Sequence, residues 1–192
     1  MIKPKQKRTL ETRAKLIAQA KARIQEAGYE ALRVEDVVAG AGVAKGTFFA
    51  HFRDKDALME ILIGAEMDAL LDQAAAGAGP TDVEQIISRL HLLHSFVTCE
   101  RYVFDLILRY SGAAAVAEIG PIAMTFGRYI ELVTGWMPLG DYRKDVSADL
   151  LAEGVQAFAV QAMALQFCAL HQTPSFDERF ARYLKAWLAP LS

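Results

Sequence analysis

Glycine and proline divide this 192-residue chain into segments that share the apolar spacing of α-helices. No stretch alternates apolar and polar residues as a strand would, and alanine is frequent at helix-compatible positions. The breaks fall at Gly28 and at residues 40–46, 77–80, 111–112, 120–121, 138–140 and 173–174. The pattern predicts an all-α protein of about nine helices, the last five near 82–98, 101–117, 121–137, 145–171 and 175–189.

Charge is distributed unevenly along the chain. The whole sequence has 21 basic and 23 acidic residues, a net charge of −2. Residues 1–60 contain 12 basic and 8 acidic side chains (+4), whereas residues 61–192 contain 9 and 15 (−6). Residues 1–23 hold eight basic side chains, Arg8 among them, against Glu11 alone. This asymmetry indicates an anionic partner at the N-terminal end, where a basic arm can follow a DNA backbone.

Composition excludes several classes of protein. An apolar content of 53% excludes disorder. The two cysteines, Cys99 and Cys168, lie in apolar runs, so a secreted disulfide scaffold is disfavoured and a cytoplasmic location is expected. The polar N-terminus has no apolar segment of the kind found in signal peptides.

Residues 150–170 form a segment that is long and apolar enough to be considered as a membrane-spanning helix. The segment contains Gln156, Gln161, Gln166 and one charge, Glu153. Glutamine is costly in hydrocarbon, so we expect a helix buried inside a protein or an oligomer interface rather than a membrane span. The alternative is a helical membrane-associated or lipid-carrying protein built around this segment.

The first predicted helix spans residues 9–27. Thr9 can cap its start, and Gly28 supplies a left-handed stop. One apolar stripe is expected on it, formed by Leu10, Ala14, Ile17, Ala20 and Ile24.

Two short helices follow, near residues 34–40 and 44–50. They are joined by residues 41–43, and a short turn containing glycine between two such helices is typical of a helix-turn-helix. The second helix begins with small and polar residues, which would let its backbone approach base edges in a major groove. These residues are Ala44, Lys45, Gly46 and Thr47. The alternative is a plain helical hairpin within a bundle.

Residues 28–58 resemble the N-terminal domain of the TetR family of transcriptional regulators. The resemblance rests on Ala-Gly-Val at 41–43, Lys-Gly-Thr at 45–47, His-Phe at 51–52 and Lys-Asp-Ala-Leu at 55–58, all in register. It implies a three-helix DNA-binding domain over 1–54 and a helical effector-binding and dimerisation domain over 55–192.

The resemblance also implies roles for single residues. Thr47 would contact a base or phosphate, and Lys45, His51 and Lys55 would contact phosphates. The sequence departs from the family at two positions. Phe49 stands where Tyr is usual, so a phenolic hydroxyl that would contact a phosphate is missing. Leu32-Arg33 stands where Thr is common, so a capping hydroxyl is lost, and the charge of Arg33 could replace that contact. The expected DNA-binding set is Arg8, Arg33, Ala44, Lys45, Gly46, Thr47, Phe49, His51 and Lys55.

For the second domain the resemblance implies a small apolar or aromatic effector, with Arg109 available for an acidic group. Its bulky side chains alternate with a few polar ones, as in a small-molecule site. The expected effector-binding set is His91, His94, Phe96, Phe104, Arg109, Phe126, Tyr129, Met163 and Phe167. The resemblance further implies a homodimer through helices 145–171 and 175–189, a pseudo-palindromic operator, and repression released by the effector.

Catalytic and cofactor motifs are not recognisable. Residues 40–47 are glycine-rich, but Lys-Gly-Thr has the wrong order for a P-loop and no strand precedes it. No nucleophile–base set is recognisable, so we expect neither an enzyme nor a cofactor. The enzymatic alternative is one that uses His91 and His94. His91 and His94, with Cys99 and Glu100 nearby, could bind a metal, although neutral histidines in a core or pocket are the more common outcome.

Overall fold

The computed structural model describes residues 4–111, 119–170 and 173–190, and within these ranges it contains nine helices and no strand. The all-α prediction is therefore confirmed. The helices are α1 (Pro4–Ala27), α2 (Val34–Ala41), α3 (Lys45–Phe49), α4 (Lys55–Ala75), α5 (Val83–Val97), α6 (Arg101–Tyr110), α7 (Pro121–Trp136), α8 (Ala148–Gln166) and α9 (Phe176–Leu188).

The structure corrects several predicted helix ends. α1 begins at Pro4, so Thr9 lies inside the helix and does not cap it. α8 begins at Ala148 rather than 145, because the Ser147 hydroxyl accepts a hydrogen bond from the Leu150 backbone. α6 ends at Tyr110, and the rest of the predicted helix to 117 includes residues outside the described ranges.

Contacts within the chain divide it into two compact units, Met1–Ile63 and Gly64–Ser192. The continuous helix α4 begins in the first unit and ends in the second. The predicted division between residues 54 and 55 coincides with the start of α4.

The apolar stripe of α1 differs from the predicted one. Leu16 and Ala20 are fully buried, whereas Leu10 is 51% exposed and Ala14 is exposed. The sequence allows two overlapping stripes at helical spacing, and the inward one is rotated toward Leu16. The rest of the first unit's core comes from Leu32, Val37, Val38, Phe48, Phe52, Leu58, Met59, Leu62 and Ile63.

The second unit buries one face of each of its helices, and α8 and α9 pack closely. Gly154 of α8 provides the space, since a Cβ there would overlap the indole of Trp187. The indole Nε1 donates a hydrogen bond to the Leu151 carbonyl at 3.0 Å. Among the described helices, none combines the length and apolarity needed to cross a membrane.

Candidate nucleic-acid interface and inner cavity

The turn between α2 and α3 has the backbone of a helix C-terminal cap. Gly42 adopts the left-handed conformation with φ of 67°, which glycine reaches without steric cost. Its N–H bonds to the Ala39 carbonyl at 3.2 Å, and the Val43 N–H bonds to the Val38 carbonyl at 3.0 Å. This pair of bonds is a Schellman motif. It ends α2 sharply and lets α3 begin three residues later, as a helix-turn-helix requires.

Phe48 fixes the orientation of α3. Its side chain is fully buried, and its ring centroid lies 5.3 Å from that of Phe52. Phe49 is turned the other way and is 50% exposed. The opposite side of α3 therefore faces solvent, and we call it the α3 face. It consists of Ala44, Lys45, Gly46 and Phe49, which are exposed, and Thr47, which is half-buried.

Lys45 is held by an acidic residue of α2. Its Nζ lies 2.5 Å from Oε1 of Glu35, and both side chains remain largely exposed. The hydrogen bond from Lys45 lowers the pKa of Glu35 below its ordinary value. Glu35 was not predictable from the sequence, because the pair depends on the crossing of α2 and α3.

Replacing Glu35 with glutamine should strengthen DNA binding. If Lys45 contacts a phosphate, as the resemblance implies, the ion pair would compete for it, and the carboxylate adds negative charge beside the α3 face. We expect affinity to rise on the order of two- to fivefold at low salt and the gain to shrink as salt screens the charges. Fluorescence anisotropy at two salt concentrations measures this. Unchanged or weaker binding by the variant would contradict the competition.

Arg33 and Lys55 meet at one backbone carbonyl. Arg33 Nη1 and Lys55 Nζ each donate to the Glu30 oxygen at 3.2 Å. The two cations are far apart in sequence, yet the structure places them together. Two positive charges around a single carbonyl form a basic spot suited to a phosphate.

His51 and Arg8, the other two basic residues of the expected DNA-binding set, have different surroundings. His51 is half-buried, and its carbonyl accepts a hydrogen bond at 2.9 Å from Arg13, whose guanidinium lies 4.5 Å from the Phe52 ring centre. Arg8 lines an open groove with Lys7 and Lys15, beside the backbone of the turn after α2. In the sequence, Lys7 and Lys15 were recognisable only as part of the charge of the basic arm.

The second unit contains a small cavity of about 30 Å³, which we call the inner cavity. Its walls come from α4, α5, α6, α7 and α8, and its surface is apolar. The lining residues are Met67, Leu93, His94, Val97, Ile107, Thr125, Phe126, Tyr129, Gln156, Ala159, Val160 and Met163. Pockets that hold small-molecule ligands measure roughly 300–1,000 Å³, so a ligand of that kind would require this cavity to expand.

Four of the nine expected effector-binding residues line the inner cavity: His94, Phe126, Tyr129 and Met163. The other five do not. Phe104 stacks on Phe167 with ring centroids 5.1 Å apart, Arg109 is exposed, and Phe96 is half-buried elsewhere on α5. His91 also points outward, with its Nδ1 3.5 Å from Asp177 Oδ2.

In the described ranges, His, Cys, Asp and Glu side chains form no group of three or more suited to a metal.

His94 is a buried neutral base at the wall of the cavity. It is 1% exposed, and burial, with a smaller contribution from His91, lowers its pKa to about 3. Its Nε2 lies 3.4 Å from the Tyr129 hydroxyl, while its Nδ1 has no hydrogen-bond partner in the described part of the chain. Burial raises the pKa of Tyr129, so its hydroxyl stays protonated.

The other polar groups on the cavity wall are engaged. Gln156 Nε2 donates to the Phe126 carbonyl at 2.8 Å, and Thr125 donates to the Pro121 carbonyl at 2.8 Å. The Thr125 hydroxyl also lies 3.4 Å from Asp68 Oδ1 on α4.

Comparisons with known proteins match the helix-turn-helix by sequence and nearly the whole chain by fold. Residues 16–62 match the model of "Bacterial regulatory proteins, tetR family". The chain is 32% identical over 92 residues to the uncharacterized HTH-type transcriptional regulator YvdT of Bacillus subtilis, a stretch that is 47% of each protein. The chain therefore aligns with about half the length of that relative.

Solved structures match nearly the whole fold. The fatty acid degradation regulator FadR of Bacillus halodurans has a TM-score of 0.59 at 17% identity, over 92% of this chain and 94% of that one. FadR of Thermus thermophilus, a TetR-family repressor in complex with lauroyl-CoA, has a TM-score of 0.62 at 16% identity, over 91% and 92%. At these identities the likeness concerns the fold, while the helix-turn-helix match concerns the sequence itself. The chain therefore carries, over residues 16–62, the helix-turn-helix domain of bacterial regulatory proteins of the TetR family, within a fold similar to that of a TetR-family repressor.

Proposed function

We propose that this chain is a homodimeric transcriptional repressor that a small apolar effector releases from a pseudo-palindromic DNA operator. The observation that carries the proposal is the α3 face, where small and polar residues are exposed while Phe48 anchors the helix from behind. A recognition helix needs such a face, because its N-terminal residues must reach base edges. The proposal includes no catalytic activity and a cytoplasmic location.

Basic groups around the α3 face support DNA as the partner. Lys45 lies on the face itself, and Arg33 and Lys55 form the basic spot at the Glu30 carbonyl. Phosphate contacts of this kind fix the register of a protein on the duplex, while residues such as Thr47 would read the bases. Selection from random duplex DNA with the full chain tests this. A recovered palindromic motif supports the proposal, and failure to enrich any sequence would refute it.

Lys55→Ala should weaken binding to the selected site without changing the preferred sequence. A phosphate contact contributes through counterion release, so the slope of log affinity against log salt should fall by about one unit. Thr47→Ala is the matched comparison, because loss of a base contact should relax the sequence preference and leave the slope near that of the wild type. Anisotropy titrations across a salt series measure both. An unchanged slope for Lys55→Ala would remove Lys55 from the phosphate contacts.

The inner cavity supports an effector site in the second unit. It is small and apolar, and Met67 and Met163 are flexible side chains that can move to admit a ligand. FadR of T. thermophilus holds lauroyl-CoA, so a protein of this fold takes up an acyl ligand.

Contacts between α4 and α7 support a mechanism for release. Arg128 of α7 lies 2.6 Å from both Asp68 and Asp72, which are one turn apart on α4. Thr125 lines the inner cavity and also reaches Asp68. A ligand that displaces α7 would therefore displace α4 and disturb the half-site spacing of the DNA-binding units. By linkage, operator DNA must weaken effector binding by the same factor.

The proposed dimer uses α8 and α9. On α8, Leu150 is 45% exposed, and the exposed Ala157 and Ala164 follow at seven-residue intervals on the same side of the helix. Such an exposed apolar stripe suits a self-complementary two-fold interface. Sedimentation velocity tests it, and a monomer at micromolar concentration would refute the dimer.

A further inference from the structure

We propose that the effector is uncharged, with an apolar body and a single neutral oxygen group that hydrogen-bonds to His94. The inference rests on the proposed effector site and specifies the class of ligand it accepts. It draws on the residues that line the inner cavity and on the hydrogen bonds those residues already make.

The cavity wall offers no partner for a charge. Among its twelve lining residues there is no Lys, Arg, Asp or Glu. His94 is neutral at physiological pH, since burial lowers its pKa to about 3. Moving a carboxylate or ammonium group from water into such surroundings is strongly unfavourable unless an opposite charge compensates it. Arg109, which the sequence analysis offered to an acidic effector, is exposed and is not part of the wall.

One residue of the cavity wall, His94, has a hydrogen-bonding atom without a partner in the described ranges. Thr125 and Gln156 are bonded to backbone carbonyls, whereas His94 Nδ1 is buried without a partner in the described ranges. A buried polar atom of this kind is destabilising, and a ligand group that bonds to it removes the penalty. The aromatic rings of Phe176 and Phe180, with centroids 4.9 and 4.8 Å from that of His94, hold the imidazole in place.

The contact with Tyr129 determines which neutral groups fit. When the Tyr129 hydroxyl donates to Nε2, the proton of the neutral imidazole is on Nδ1, which then donates to a carbonyl or ether. When Nε2 carries the proton, Nδ1 accepts from a hydroxyl. Both arrangements are compatible with the 3.4 Å separation of the two groups. The pair therefore accepts a hydroxyl, carbonyl or ether oxygen, but no ion.

Four probes of matched shape separate these alternatives: 4-propylphenol, propylbenzene, 4-propylbenzoate and 4-propylbenzylammonium. Isothermal titration calorimetry with the full chain gives the four affinities. We expect 4-propylphenol to bind at least tenfold more tightly than either charged probe, and about fivefold more tightly than propylbenzene because of one added hydrogen bond.

Variants test whether the preference for 4-propylphenol over propylbenzene depends on His94. His94→Leu with Tyr129→Phe replaces both polar partners with apolar groups of similar size, so the fold should persist. This double variant should bind 4-propylphenol and propylbenzene equally. His91→Leu is the control, because His91 is on the same helix but faces solvent, and it should keep the wild-type preference. A shift of the His94 ring signals in NMR spectra on adding 4-propylphenol gives a second readout.

The possible outcomes test the ligand class, the role of His94 and the effector site separately. Equal or tighter binding of a charged probe overturns the inference and leaves the proposed effector site intact. A phenol preference that survives in the double variant overturns the role of His94. If no probe binds the folded wild-type chain, the proposed effector site fails and this inference fails with it, while DNA binding by the first unit is tested separately.

Discussion

Replacing Gly46 with glutamate is expected to lower DNA affinity at least about 100-fold while the chain remains folded, since juxtaposed like charges cost several kcal/mol. Gly46 is exposed near the start of α3, and a Cβ added there meets no atom within 4 Å. The new side chain is therefore tolerated by the fold and even raises helix propensity. Its carboxylate would lie on the α3 face, against the phosphates and base edges that the face is proposed to contact. Electrophoretic mobility shift or anisotropy with the selected operator measures the loss.

Gly127→Glu is the matched control for this substitution. Gly127 is an exposed helical glycine of α7, and a Cβ there also meets nothing within 4 Å. Both variants add one negative charge to the chain and one β-carbon to a helix. Gly127→Glu should bind operator like the wild type, and both should melt at or above the wild-type temperature. If Gly46→Glu still binds operator, the α3 face does not contact DNA.

The second large effect is on stability. Phe180→Ala should reduce the free energy of unfolding by about 3–5 kcal/mol, the usual cost of truncating a buried phenylalanine. Phe180 is fully buried in α9, and its ring is edge-on to His94 at 4.8 Å and stacked on Phe176 at 5.6 Å. The loss is a large part of the roughly 5–15 kcal/mol by which small domains are stable. Chemical denaturation followed by circular dichroism gives the value.

Tyr183→Ala on the same helix supplies the comparison for Phe180→Ala. Tyr183 is half-buried, and its ring lies 5.1 Å from that of Phe158. It buries less surface and leaves a site that solvent can enter, so its truncation should cost distinctly less. Equal losses for the two variants would show that Phe180 does not have the central packing role assigned to it.

The sequence predicted the helix-turn-helix accurately because its determinants are local. Gly42 adopts a positive φ, and Phe48 points inward from a five-residue helix; both features depend on residues close together in sequence. Asp54 likewise caps the next helix, with its Oδ1 2.8 Å from the Ala57 N–H. The ion pair of Lys45 with Glu35 and the meeting of Arg33 with Lys55 were not predictable, because they depend on how separate segments cross.

The cavity wall was harder to predict than the fold. His91 and His94 are three residues apart and look equivalent in sequence, but one faces Asp177 and solvent while the other is buried against aromatic rings. Which side of α5 turns inward depends on packing against α9, and helical spacing cannot supply that. Phe104 and Phe167 were reasonable candidates for a cavity wall, but they stack on each other instead.

The small volume of the inner cavity links affinity to switching. At about 30 Å³ it admits no effector until side chains and helices move apart, so part of every ligand's binding free energy is spent on opening. In the proposed mechanism, that same opening displaces α7, which would act on α4. A cavity enlarged in advance, for example by shortening Met163, would bind its ligand more tightly yet transmit less to the DNA-binding unit. High affinity for the effector and a strong effect of the effector on DNA binding therefore place opposite requirements on the same few side chains.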